Sequence, residues 1–278
     1  MRTRKGISRI MCGIIAVMRR PSGREVPNSA SVVGPVESAV GLLGGDEPID
    51  LDQVAELLES AADLLAGVPG LLALVRDPSL AERLRLLLHV FPEQLAAAES
   101  RLVESASDPE EANAALVRIR DVIWSISRDR LGAWTGVTSL ASTTDPPGDA
   151  GLAVLLSVHQ ALAAIDRLEV RGRDSAGLQV ALWNHGLDDL GGVEGRMGDP
   201  LLRSGSVRRL SAGGLLFVVK VAAEIGELGD NTRVLRRALS EDRLLARALA
   251  GAHTQGVVLG HTRWASVGLI SEANAHPL

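Results

Sequence analysis

The residue best placed to do chemistry is the single cysteine, Cys12, because of what precedes it. Met11 stands directly before Cys12, so a chain that starts at Met11 and loses that methionine carries Cys12 as its first residue. Its α-amino group then lies close to its own thiol. A free α-amino group titrates at about 7.7–8.0, near working pH, so it takes the thiol proton and later returns it. A terminal amine serving its own side chain is one way of activating a weak nucleophile. With residues 1–11 in place that nitrogen is an amide, not a base, and the nucleophile is blocked. The plainer alternative is that a free cysteine acts as a small buried hydrophobe.

Other blocks follow in order. They are Leu168-Glu169-Val170-Arg171-Gly172-Arg173-Asp174-Ser175-Ala176-Gly177-Leu178, His261-Thr262-Arg263-Trp264-Ala265-Ser266-Val267-Gly268 and Asn274-Ala275-His276-Pro277. Cys-Gly-Ile alone carries little weight. With Met11-Cys12-Gly13-Ile14-Ile15 in front, the ordered set closely resembles the glutaminase domain of the glucosamine-6-phosphate synthase family, the glutamine:fructose-6-phosphate aminotransferases (isomerizing). The resemblance implies a class II glutamine amidotransferase with an α+β, N-terminal nucleophile (Ntn) hydrolase fold. That fold is an αββα sandwich of two antiparallel sheets between helical layers.

By this resemblance Cys12 attacks the side-chain amide of L-glutamine, releases ammonia and leaves a glutamyl thioester that water hydrolyses. Arg171 and Gly172 match the pair that supports the nucleophile. Arg263 matches the arginine that holds the substrate α-carboxylate, and a guanidinium fork suits a carboxylate where a lysine does not. Trp264 matches the tryptophan of the mobile glutamine loop, and Ser266 stands where a threonine usually contacts substrate. Each has a structural alternative: a strand-end salt bridge for Arg263, a core position for Trp264, an ion pair of Arg171 with Asp174 and a close backbone approach at Gly172. His261, Asn274 and His276 are expected to be scaffold. Arg173 replaces the usual tyrosine, and Val267 replaces a loop histidine that bears on loop closure and substrate contacts.

The six histidines are scattered with no His-Glu-x-x-His, so no metal or cofactor is expected, and the resemblance further implies a homo-oligomer when complete and fructose 6-phosphate bound by later C-terminal domains. The expected organisation is an extension at 1–10 absent from the mature protein, a partial amidotransferase domain at 11–20 and 151–278, and a mostly α-helical insertion at 21–150. The sequence stops before the family's oxyanion-hole pair and later strands, so the fold is expected to be incomplete at the C-terminus and inactive by itself. Amidophosphoribosyltransferases and asparagine synthetases share the Cys-Gly-Ile start, but the Arg-Gly-x-Asp-Ser-Ala-Gly and His-Thr-Arg-Trp-Ala blocks point away from them. The remaining alternative is a non-catalytic scaffold or fragment whose acidic insertion binds a partner.

Composition narrows the classes. The chain has 278 residues, 46% apolar and 23% charged, which suits globular folding. Aromatic residues make up 2% and the net charge is −5, so nucleic acid binding by stacked bases or a basic surface is not expected. One cysteine excludes an intrachain disulfide and multi-cysteine metal clusters, and suggests a reducing, cytoplasmic home. The basic N-terminus lacks an apolar region after it, and no uncharged apolar run is long enough to suggest a membrane span. The chain has two lysines, Lys5 and Lys220, neither after a glycine, so there is no phosphate-cradling Gly-Lys-Ser/Thr loop.

Charge marks the boundary between the pieces. Residues 21–150 hold 21 acidic and 9 basic residues, a net of −12, whereas the rest carries +7. The acidic piece reads as helices. Asp50 caps one with Leu51, Val54, Leu57, Leu58, Ala61 and Leu65 at helical spacing, and Asp77-Pro78 and Asp108-Pro109 start two more. Thr143 to Gly148 reads as a linker. Elsewhere strands are expected at Cys12 to Met18, Ser175 to Trp183, Leu215 to Ala222 and Val257 to Gly260. Helices are expected at Leu152 to Leu168 and from about Asn231 to Ala250, with a glycine-rich turn region at Gly186 to Asp199. Strands without regular βαβ alternation favour layered α+β.

Overall fold

A computed structural model describes residues 12–45, 49–105, 109–170, 172–188, 190, 194–222, 227–264 and 269–276. The chain divides into two compact units: Pro21–Thr138, and Met1–Arg20 together with Ser139–Leu278.

The unit Pro21–Thr138 is helical: α1 (Ser29–Gly44), α2 (Leu51–Leu64), α3 (Gly67–Arg76), α4 (Pro78–Ser105), α5 (Pro109–Trp124) and α6 (Leu131–Thr138), with a π-helical turn at Ser125–Arg130 before α6. Side-chain caps begin several of these. Asn28 accepts from Ser31 N–H at 2.8 Å, Asp50 from Gln53 N–H at 3.0 Å and Asp77 from Ser79 N–H at 3.1 Å, each satisfying a donor that the first helical turn leaves open. The faces spaced at three and four residues then close on one core. Val54 and Leu58 of α2, Leu80, Leu84 and Phe91 of α4 and Ile119 of α5 are all fully buried.

The other unit is mixed α and β. Its strands are β1 (Gly13–Met18), β2 (Ser175–Trp183), β3 (Val207–Arg209), β4 (Leu215–Ala222) and β5 (Gln255–Arg263), and its helices α7 (Asp149–Leu168), α8 (Glu194–Met197), α9 (Asp230–Ser240) and α10 (Arg243–Leu249). The strands form an antiparallel five-stranded sheet in the order β1-β5-β2-β4-β3. Leu178 pairs with Gly260 on one side and Val219 on the other, which places Leu178, Val180 and Leu182 on one face with Phe217, Val219, Val258 and Ile15.

α7 and α9 pack on that face. Gly13 is required there, because a Cβ on it would lie 2.8 Å from Leu168 of α7. Gly260 is a second close approach, with an added Cβ 2.7 Å from Ile15 and 3.0 Å from Ile165. α7 is apolar and long enough to cross a membrane by composition, but 56% of its most apolar stretch is buried inside the protein. The opposite face bears Ile14 and Met18, 69% and 78% exposed. Among the described residues there is one sheet, so the second sheet of the expected sandwich is not among them.

Several details differ from the periodicity. The helix expected from Asn231 to Ala250 is two helices, because Asp242 turns its carboxylate onto the N–H groups of Leu244 and Leu245, both at 3.1 Å, and starts α10. The glycine-rich region includes the short α8, whose Arg196 forks onto both oxygens of Asp242. The division at Thr138 falls ahead of the Pro-Gly stretch. Leu140, Ser142 and Pro147 line a small cavity with Leu155, Leu239 and Leu245, so this stretch packs with the sheet unit.

Candidate functional site

One end of the sheet collects residues from distant parts of the chain. Cys12 immediately precedes β1 and is exposed. Gly13 pairs with Thr262 of β5, and the main-chain N–H of Gly13 donates to Thr262 Oγ1 at 3.3 Å. Continuing that antiparallel register by one step brings Cys12 opposite Arg263. On its other side Arg263 pairs with Ser175, the first residue of β2. The turn before β2 is tied to the same place, since Asp174 N–H donates to the carbonyl of Arg263 at 3.1 Å.

Gly172 is buried in that turn, and its N–H donates to the carbonyl of Glu169 at 3.2 Å. Trp264 follows Arg263 at the end of β5 and is 44% exposed. Thus Cys12 precedes β1, Arg263 ends the neighbouring β5 with Trp264 after it, and Gly172 lies three residues before β2, all at one end of three neighbouring strands. Arg171 and Ser266 lie outside the described residues. The guanidinium of Arg263 donates through Nη1 to the carbonyl of Asn274 at 2.8 Å, which fastens the 272–276 segment near the strand end.

That segment brings residues together that the sequence marks only as scaffold. The ring of His276 lies against that of His261, centroids 4.6 Å apart and planes 37° apart. Among the described residues, the Nδ1 atoms of both are buried without a partner. Burial, with the neighbouring His276 and Arg263, pushes His261 down to about 4, and burial likewise lowers His276. Both rings are therefore neutral at ordinary pH.

Two cross-strand partners of Gly177 are His261 and Lys220. Lys220 is 1% exposed, and its ammonium donates to the Leu201 carbonyl at 3.4 Å. Burial lowers its pKa against the opposing pull of Asp199 and Glu272. Its one sequence signal is a lone lysine inside the apolar run Leu215–Ala222. Among the described residues, no group of three or more His, Cys, Asp and Glu side chains converges as a metal site. Comparison with known protein families, curated proteins and solved structures finds no match.

Chemically, this strand end presents an exposed thiol, a guanidinium from the neighbouring strand and an exposed indole beside it. A thiol supplies a nucleophile once deprotonated, and a guanidinium has five donors, enough to hold a carbonyl and a carboxylate together.

Proposed function

We propose that this chain carries the glutaminase part of a class II glutamine amidotransferase of the glucosamine-6-phosphate synthase type, on an Ntn-hydrolase fold. What supports it is that Cys12, Gly172, Arg263 and Trp264, from separate blocks of the sequence, flank one end of three adjacent strands. With its α-amine free, Cys12 passes the Sγ proton to that amine and attacks the glutamine side-chain carbonyl carbon. The Sγ–C bond forms, the amine returns the proton to the leaving nitrogen, the C–N bond breaks and ammonia departs. Water then adds to the thioester and releases glutamate and the thiol. Arg263 holds the substrate α-carboxylate, fixing the amide over the nucleophile. The acceptor implied by the resemblance is fructose 6-phosphate.

The test uses the protein purified from its own cells and treated with a glutamine analogue bearing an electrophilic carbon in place of the amide. Intact mass is expected to begin at Cys12 and to gain one adduct on Cys12, prevented by excess glutamine. A mature protein that retains residues 1–11, or a Cys12 that takes no adduct, overturns the assignment. Amino transfer to phosphoribosyl pyrophosphate with none to fructose 6-phosphate assigns the chain to the amidophosphoribosyltransferases instead.

A second reading rests on the compactness of Pro21–Thr138 and its own apolar core. In it the acidic helical unit binds a partner and the sheet unit is a scaffold without catalysis. Glutamine-protected labelling of Cys12 counts against it.

A further inference from the structure

The short helical turn Glu272–Asn274 links the candidate site to a loop that the proposed reaction does not use. That loop, 199–206, leads into β3 and closes on its own aspartate. Asp199 Oδ1 accepts from the Leu201 N–H at 3.0 Å, and Oδ2 from the Arg203 N–H at 3.1 Å and from Arg203 Nε at 2.9 Å. The loop is also laid along β4. Gly205 N–H donates to the Val218 carbonyl at 2.8 Å, Val218 N–H to the Ser206 carbonyl at 3.0 Å and Lys220 N–H to Ser204 Oγ at 3.1 Å. With the Lys220 ammonium on the Leu201 carbonyl, β4 holds the loop through both main chain and side chain.

One bond crosses from this loop to the turn: Ser204 N–H donates to Glu272 Oε2 at 3.3 Å. The turn is folded on itself. Asn274 N–H donates to the Ser271 carbonyl at 3.1 Å, Ala275 N–H to the Glu272 carbonyl at 3.2 Å and Asn274 Nδ2 to the Leu269 carbonyl at 3.1 Å. Ala275 is fully buried, and the His276 ring lies against that of His261, so the end of the turn is set into the protein. The Asn274 carbonyl then accepts from Arg263 Nη1 at 2.8 Å. A continuous path of bonds thus runs from β4 through Ser204, Glu272 and the turn to the Arg263 guanidinium. An arginine side chain has many rotamers, and its fork holds a carboxylate best when its plane is fixed beforehand. One guanidinium N–H on a fixed carbonyl does this, and the fork has five donors in all.

We propose that Glu272 is a positioning residue for Arg263: anchored by the Ser204 N–H, it holds the turn so that the Asn274 carbonyl sets the guanidinium plane against the α-carboxylate of an amino-acid substrate. This rests on the reading of Arg263 as the group that holds the glutamine α-carboxylate. Glu272 acts through Arg263 and takes no part in the chemistry at Cys12. Its loss therefore weakens recognition of the carboxylate and leaves the reactivity of the thiol as it was.

The test uses the full chain purified from its own cells, with Cys12 labelled by two electrophiles: the glutamine analogue, and the same electrophilic side chain without the α-carboxylate. Glu272→Ala is expected to slow labelling by the first roughly five- to tenfold, the effect of one hydrogen bond, and to raise the half-protecting glutamine concentration by the same factor. Labelling by the second is expected to stay unchanged. Glu272→Gln keeps an oxygen for the Ser204 N–H and is expected to regain most of the loss. If Glu272→Ala does not fold, Ser204→Ala, which removes the hydroxyl that accepts from Lys220 N–H, carries the same expectation. Equal slowing with both electrophiles, or no change with either, overturns the proposal. Absence of glutamine protection in the unaltered protein removes the amidotransferase reading and this role with it. Protection there, with the same half-protecting concentration in Glu272→Ala, leaves that reading standing and overturns this role alone.

Discussion

In the helical unit Pro21–Thr138 the buried side chains are apolar, and the ion pairs lie outside. Arg118 of α5 meets Glu59 at 2.6 Å and Asp52 at 3.2 Å with all three side chains well exposed. In the sheet unit the interior holds Glu169, Lys220, Asn231, His185, Ser175 and Thr262, and every buried polar or charged residue among the described residues lies in that unit. Burying such groups costs free energy unless each finds a partner, and a buried ion pair often adds no net stability over a well-packed apolar pair. One unit therefore gains stability by simple packing, while the other places polar groups where packing alone would not. Perturbed and orphaned groups cluster around functional sites more often than elsewhere. Among the described residues, single orphaned atoms occur in the helical unit too, at Gln94 Oε1 and Trp134 Nε1, so the contrast is one of whole buried polar residues.

The largest effect expected from this contrast is in the helical core. Phe91→Ala, at a fully buried position, is expected to cost about 3–5 kcal/mol. Hydrogen exchange by mass spectrometry should show protection lost within α1 to α5, and an equal loss in β2 and β5 would break the distinction between the units. Next is Asp242→Ala, which removes both the α10 cap and the Arg196 pair, with the Asp242 side chain 8% exposed. Its expected cost is about 2–4 kcal/mol by chemical denaturation. Asp242→Asn keeps a capping oxygen and should cost less, and equal costs would assign the whole effect to the charge.

Acid should weaken the sheet unit first. Burial holds His159 down to about 4, with Arg236 adding to the effect, and His261 is also at about 4 against an ordinary 6.5. The unfolded chain binds those protons first, so this stability is complete above about 6.5 and is lost as pH falls towards 4. Asp199, held to about 2 chiefly by its bond from Arg203, adds a further loss below its ordinary 3.8. Glu169, whose carboxyl burial pushes up, works in the opposite direction. Exchange measured at pH 7 and pH 5 should show the loss in β5 and α7, and a uniform loss over both units would remove the contrast. The smallest effect is at the exposed pair: Glu59→Gln is expected to change stability by less than about 1 kcal/mol in a denaturant titration, since solvent and salt screen it.

Some of this architecture was legible residue by residue. The alternation in Ser175–Trp183 and the apolar run Leu215–Ala222 carry their own strand bounds, and Asp50 caps α2 as its position before a helical repeat suggests. α1 was not legible, because Pro35 inside it reads as a breaker. The break at Asp242 was hidden because the leucine spacing continues on both sides of it. At the candidate site Cys12, Gly172, Arg263 and Trp264 stood out by type and by their blocks. Glu169 lies inside one of those blocks and Asn231 in none, and neither residue type announces its burial.

The sequence by itself determined many of the short-range features: most of the strands, several of the helices and their caps, and which residue is the thiol. Periodicity and capping act within a few residues, so they survive in a linear reading. Only the tertiary structure decided the strand order β1-β5-β2-β4-β3, which sets the start of β1 beside the end of β5 and the start of β2. It also decided the burial of Glu169 against Gly229 and of Lys220 beneath Leu201. Those features depend on pairings and desolvation between residues far apart in the chain, which no local pattern encodes.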